Sequence, residues 1–253
     1  MSSSPKNLSK LIQARYEPSL TLDAYTHRNL THLQHLISTS EITQHRLTEI
    51  LSFLKLKEYF LLNNYRTFNL IITDPSFYKT TLTQRLPILG APTIYHLCKT
   101  LVLENTSYNQ EFASKFYPKY VAVIIQWATK LNSDKMNKTL QKWQNENSDK
   151  KVSRKGFNFR SLQAEKCLEF TGYSFNAVTP VLFNRPMPVL VSDGIARLEP
   201  RCFFMGGGNV DTKLRIGYDE FVEKSEYVIL EGDIANIRTD LEGEGGGSPD
   251  GEN

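Results

Sequence analysis

Tyr120-Val-Ala-Val-Ile-Ile-Gln-Trp127 narrows the fold more than any other segment of this chain. Side chains alternate between the two faces of a strand, so a half-exposed strand alternates apolar with polar. This run is apolar on both faces and rich in β-branched residues, which suits a central strand covered on both sides by helices. Phe68–Ile72, Thr100–Leu103, Pro188–Val191, Arg201–Met205 and Tyr227–Leu230 are shorter runs of the same kind and are predicted strands. Between them Met136, Leu140 and Trp143 share one helix face behind Ser133, an expected N-cap. Helices are also predicted over 161–170, closed by Gly172, and over 217–225, where Phe221 and Val222 lie. Strands alternating with helices predict an α/β domain: a mixed β-sheet with flanking helices.

The pattern differs before residue 67. Leu47, Ile50, Leu51 and Leu54, and upstream Leu30, Leu33 and Ile37, recur at helical spacing. Residues 1–66 are therefore expected to form an N-terminal helical annex, 67–238 the α/β domain, and 239–253 an acidic, Gly-rich disordered tail. The annex holds His27, His32, His35 and His45; His32 and His35 sit three apart but lack carboxylate or cysteine company, so no metal site is predicted. Residues 145–155 are polar and aperiodic and are expected to be a loop.

Composition excludes several classes. No apolar run approaches the roughly 20 residues that span a bilayer, so no membrane role is expected. The polar start Met1-Ser-Ser-Ser-Pro-Lys6 lacks the apolar core of a secretory signal. Cys98, Cys167 and Cys202 are scattered among apolar neighbours and read as buried free thiols of a reducing, cytoplasmic compartment. The net charge of +3 conceals an asymmetry: five acids and no base fall in 240–253, leaving 30 basic against 22 acidic residues elsewhere. Nine basic and three acidic residues fall between Lys130 and Arg160. Such a stretch suits a polyanion or, equally, a solvated lysine-rich surface.

Nucleophile elbow, P-loop, HExxH and dinucleotide fingerprints are all missing. Three features remain. Gly206-Gly207-Gly208 follows a predicted strand; it lets backbone approach a ligand or a neighbouring strand, or simply makes a tight turn. Lys99 opens an apolar strand, where an ammonium can reach into a cleft or merely solvate the strand end. Asn176-Ala177-Val178-Thr179-Pro180 is a small-residue loop ending on a rigid proline, able to aim backbone N–H groups at a carbonyl oxygen.

The order of these motifs carries more than any one of them. Lys99-Thr-Leu-Val-Leu103, the Gly172-Tyr173 to Ala177-Val-Thr-Pro180 loop, Pro188-Val-Leu-Val-Ser-Asp193 and the glycine turn before Thr212-Lys-Leu-Arg-Ile216 resemble, over about 67–237, the YbaK / prolyl-tRNA-synthetase-associated editing family. The resemblance implies a metal- and cofactor-independent aminoacyl-tRNA deacylase that hydrolyses the ester of mischarged tRNA. It implies that Lys99 and the amides of Ala177, Val178 and Thr179 serve catalysis, with Asn176, Pro180, Gly206, Gly207 and Gly208 around the substrate. The implied partners are the acceptor end of tRNA and an aminoacyl-tRNA synthetase. Against the family pattern, 130–160 looks like a basic insertion, and Asn176 stands where the family has glycine. Asn tolerates left-handed backbone better than other side chains, but adds bulk at the substrate mouth. The rival expectation is a non-catalytic tRNA-binding or scaffold module whose annex docks a synthetase complex.

Overall fold

The computed structural model describes residues 44–240, with side chains from Glu49 onward. The expected helices before residue 44, the side chains of His27, His32, His35 and His45, and the tail 241–253 lie outside the described residues. Among the described residues, those from Ser52 to Asp240 belong to one compact unit.

Helix α1 (Gln44–Leu62) leads into that unit. Its buried side chains are Leu56 and Phe60, one turn apart, and both belong to the main hydrophobic core. The core therefore begins upstream of the expected boundary at 66/67. Ile50, Leu51 and Leu54, which recur at helical spacing, are only half-buried.

Two sheets follow. The larger has the order β5-β2-β3-β6-β9. Its members are β2 (Cys98–Asn105), β3 (Tyr120–Gln126), β5 (Phe159–Ser161), β6 (Val189–Ser192) and β9 (Ile229–Gly232). β2 runs antiparallel to β3 and β5, while β6 runs parallel to β3 and β9, so the sheet is mixed. β3 takes the central place that its sequence demands. Ala122 and Ile124 face one core cluster, and Val121, Val123 and Ile125 face another. The smaller sheet, of order β1-β8-β7, is antiparallel: β1 (Asn69–Ile72), β7 (Cys202–Gly206) and β8 (Thr212–Gly217). A third pair joins β4 (Thr129–Leu131) to β10 (Ala235–Ile237). The two larger sheets meet at Leu97, which bridges to Phe204 and whose carbonyl accepts the Trp127 amide at 2.7 Å.

Helix α3 (Ser133–Asn147) buries Met136 and Leu140 as its spacing requires, and is capped one residue early by Asn132, which accepts from the Lys135 amide. It runs to Asn147, into the expected loop. Helix α4 (Ala164–Thr171) ends on Gly172 at φ 78°, and α6 (Tyr218–Lys224) follows β8 directly. Helix α2 (Leu82–Leu89) was not expected, although its capping box, Thr81 with Gln84, is legible. A fourth short helix, α5 (Asp193–Ala196), follows β6. The three cysteines are free thiols; Cys98 and Cys202 are buried, whereas Cys167 on α4 is half-buried. Among the described residues no helix is long and apolar enough to cross a membrane.

Candidate functional site

The corner where the sheets meet gathers most of the singled-out residues. Gly172 turns the chain out of α4, and Tyr173 pins the loop by donating its hydroxyl to the Val181 carbonyl at 2.9 Å. Asn176 has φ 63°, so the left-handed turn survives without glycine, as an asparagine permits. The Tyr78 hydroxyl donates to the Asn176 carbonyl at 2.8 Å. The glycine turn supports the loop from the other side. The Gly208 amide donates to the Ala177 carbonyl at 3.0 Å. A Cβ on Gly206 would lie 2.6 Å from the Val178 carbonyl oxygen and 2.8 Å from the Ala177 carbonyl carbon. One on Gly207 would meet the Lys213 backbone at 2.9 Å. Gly206 is thus needed for the backbone-to-backbone approach of β7 to the loop, and Gly207 for that of the turn to β8.

Not every amide in the loop is available. Ala177 donates its own to the Ser174 carbonyl at 3.0 Å, closing the turn, so it cannot hold a substrate oxygen. The amides of Val178 and Thr179 make no such bond among the described residues. Ala177, Val178, Thr179 and Pro180 are all buried, and the Thr179 hydroxyl has no hydrogen-bond partner.

Lys99 pairs with Ile125 near the start of β2. By strand alternation it projects with Leu101 and Leu103, away from the face of Cys98 and Val102 that packs toward Ala177 and Val178. Its Nζ lies 4.8 Å from the centre of the Trp127 ring. The same ring has the Arg85 guanidinium at 5.7 Å, and that guanidinium also lies 5.1 Å from the Phe77 ring and 5.3 Å from the Tyr78 ring. Lys99 therefore connects to the loop through a layer of aromatic rings and cations, not by the direct approach its sequence position suggested.

Sequence reasoning missed the remaining members of this layer. Lys213 on β8 is 4% exposed, with Nζ 4.9 and 4.6 Å from the Phe77 and Tyr78 rings. It donates to the Val210 carbonyl, tying down the turn that carries Gly208. Burial pushes its ammonium down to about 8; Asp211 opposes the shift and Arg85 adds to it. Arg85 on α2 is 7% exposed, donates to the Tyr78 carbonyl at 3.2 Å, and is likewise lowered by burial. Burial raises the Tyr78 phenol, so its hydroxyl stays a donor. Arg85 did have a signal: Leu82, Arg85, Leu86 and Leu89 share one face of α2.

Two surface grooves lie away from this corner. One runs between β4, the start of α3 and β10; the other lies beside Phe116 and the end of α3. Among the described residues no cluster of His, Cys, Asp or Glu could hold a metal. The basic stretch spends part of its charge locally: Lys135 pairs with Asp233 at 2.9 Å, Arg154 with Asp134 at 2.5 Å and Lys142 with Glu146 at 3.9 Å.

The arrangement of the two sheets has counterparts among solved structures. "Hypothetical protein APE2540" matches at a TM-score of 0.52 with 21% identity, over 72% of this chain and 99% of that one. A "putative trans-editing enzyme for prolyl tRNA synthetase" matches at a TM-score of 0.52 with 15% identity, over 72% of this chain and 96% of that one.

The fold is YbaK-like.

A scaffold used for epitope backbone grafting by computational design shares this YbaK-like fold, at a TM-score of 0.52 and 13% identity over 72% of this chain and 96% of that one. No family model and no curated protein matches the sequence. At these identities the YbaK-like match speaks for architecture alone, and the chemistry resides in the side chains and amides of the corner itself.

Proposed function

We propose that this protein is an aminoacyl-tRNA deacylase that hydrolyses the ester of mischarged tRNA. The observation that carries the proposal is the loop before Pro180, where the Val178 and Thr179 amides stand unbonded while Gly206 and Gly208 brace the loop from behind. An aminoacyl ester is already activated, so two positioned N–H groups and an oriented water are a sufficient catalyst. In this proposal Val178 and Thr179 hold the carbonyl oxygen, and Asn176 and Pro180 shape the mouth. Gly206, Gly207 and Gly208 hold the loop in place by close packing behind it, and Lys99 steadies the terminal nucleotide from beside the Trp127 ring. The fold is shared with a structure described as a "putative trans-editing enzyme for prolyl tRNA synthetase", so the architecture is compatible with this reading. The basic surface from Lys130 to Arg160 would hold the acceptor stem, and a synthetase is the expected companion.

The test is turnover on a broad panel of aminoacyl-tRNAs. At least one mischarged species should be deacylated, and Lys99→Ala should abolish that activity while leaving the unfolding midpoint in place. Rates equal to buffer across the whole panel would remove the enzyme reading and leave the non-catalytic tRNA-binding module.

A further inference from the structure

Arg85 and Lys213 are both more than nine-tenths buried, and neither has a carboxylate ion-pair partner among the described residues. Asp211, half-exposed, favours the Lys213 ammonium only from beyond ion-pair distance. What surrounds the two cations is the ring faces of Phe77, Tyr78 and Trp127 and the carbonyls of Tyr78 and Val210. These carry partial negative charge and no full counter-charge, while the cations disfavour one another. The Arg85 Nε is also buried without any hydrogen-bond partner. A buried guanidinium donor left unused is uncommon and calls for an acceptor. If this space served packing alone, apolar side chains of similar volume would fill it at lower cost.

We propose that Arg85 and Lys213 form an oxyanion site that takes a phosphate group of a single-stranded RNA 3′ end. The planar guanidinium fork suits two phosphate oxygens. Lys213 is the adjustable partner: its flexible stem lets the ammonium exchange the Val210 carbonyl for the anion. Phosphate is favoured over carboxylate because the cations are interleaved with aromatic rings, the arrangement that binds backbone and base together. Tyr78 and Trp127 are half-buried, so the layer is not sealed from solvent at these two rings, and Lys99 adds a cation over Trp127. Tyr78 also bonds Asn176, so an occupied site would sit beside the proposed catalytic loop. The choice of RNA as carrier rests on the deacylase proposal; the anion site does not.

The experiment is an NMR titration of the full-length protein, following the Arg85 Nε–H and Lys213 Nζ signals. The ligands are inorganic phosphate, adenosine 5′-monophosphate, acetate and a short unacylated RNA with the tRNA 3′ end. Phosphate, the nucleotide and the RNA should shift both signals saturably and compete with one another, with acetate at least tenfold weaker. Arg85→Gln and Lys213→Met should each weaken RNA binding tenfold or more. Acetate matching phosphate would overturn the proposal in favour of a carboxylate site. Wild-type signals that no ligand moves would overturn it outright, whether or not the variants fold. No turnover is measured, so a failed deacylation panel leaves this result standing.

Discussion

Lys213→Met isolates the energetic consequence of a buried cation. Methionine keeps an unbranched apolar stem among Phe77, Tyr78 and the β7–β8 turn and removes the charge. A lowering of the ammonium from its ordinary 10.5 to about 8 means the charged form is disfavoured in the fold by about 3 kcal/mol. Losing the hydrogen bond to the Val210 carbonyl returns about 1 kcal/mol of this. Lys213→Met should therefore be about 2 kcal/mol more stable than the native protein at pH 7. The sign with pH follows from the same numbers. The unfolded chain keeps the proton until 10.5 and the folded chain releases it near 8, so the folded state binds fewer protons between those values. Stability of the native protein should then rise by about 2 kcal/mol from pH 7 to 9.5, and Lys213→Met should show no such rise. The window stops below pH 10 because Tyr78, Tyr173 and Tyr227 are held protonated by burial and contribute the opposite slope above it. Urea unfolding in phosphate-free buffer, at constant ionic strength, measures both effects. A native protein whose stability is flat or falls across that window, with a variant less stable at pH 7, would refute the assignment of an uncompensated cation.

Two further predictions concern other parts of the fold. Gly206→Ala places a methyl group 2.6 Å from the Val178 carbonyl oxygen, against backbone on the loop side, and should cost about 1–3 kcal/mol; in the deacylation assay kcat should fall more than KM rises. Glu220 is pushed up by burial, but bonds from Thr67, Lys224 and the Arg66 and Thr67 amides outweigh this and hold it at about 2. Its contribution is present above pH 4.5 and lost as pH falls through 2, so Glu220→Gln should cost about 2–3 kcal/mol at pH 7 and flatten the acid limb of a urea-midpoint profile.

Read without coordinates, the chain specifies its strands and turns, because those depend on neighbours in sequence. The two-sided apolar run at 120–127 had to be central, Gly172 had to end a helix, and asparagine at 176 could enter a left-handed turn. Among the missed elements, β4, β5 and β10 are three residues each, too few for a period to show, while the six-residue β8 and the eight-residue α2 carry mixed polar and apolar positions that announce neither element strongly. The order of the lysine, the small-residue loop and the glycine turn likewise pointed to a YbaK-like fold.

What the sequence could not decide is which side chains share a space. Lys213 sits in an alternating strand whose odd positions read as solvent-facing, yet the Phe77–Tyr78 turn folds over it and removes the water. Arg85 lies on the leucine face of a helix the sequence did not announce, and only the packing of Phe77, Tyr78 and Trp127 shows that rings enclose it. Lys99 kept its place in the motif, but the pleat of β2 turned its ammonium toward Trp127. Local periodicity sets where a side chain points within its own element; only the packing of a second element, distant along the chain, decides whether water or an aromatic ring waits there.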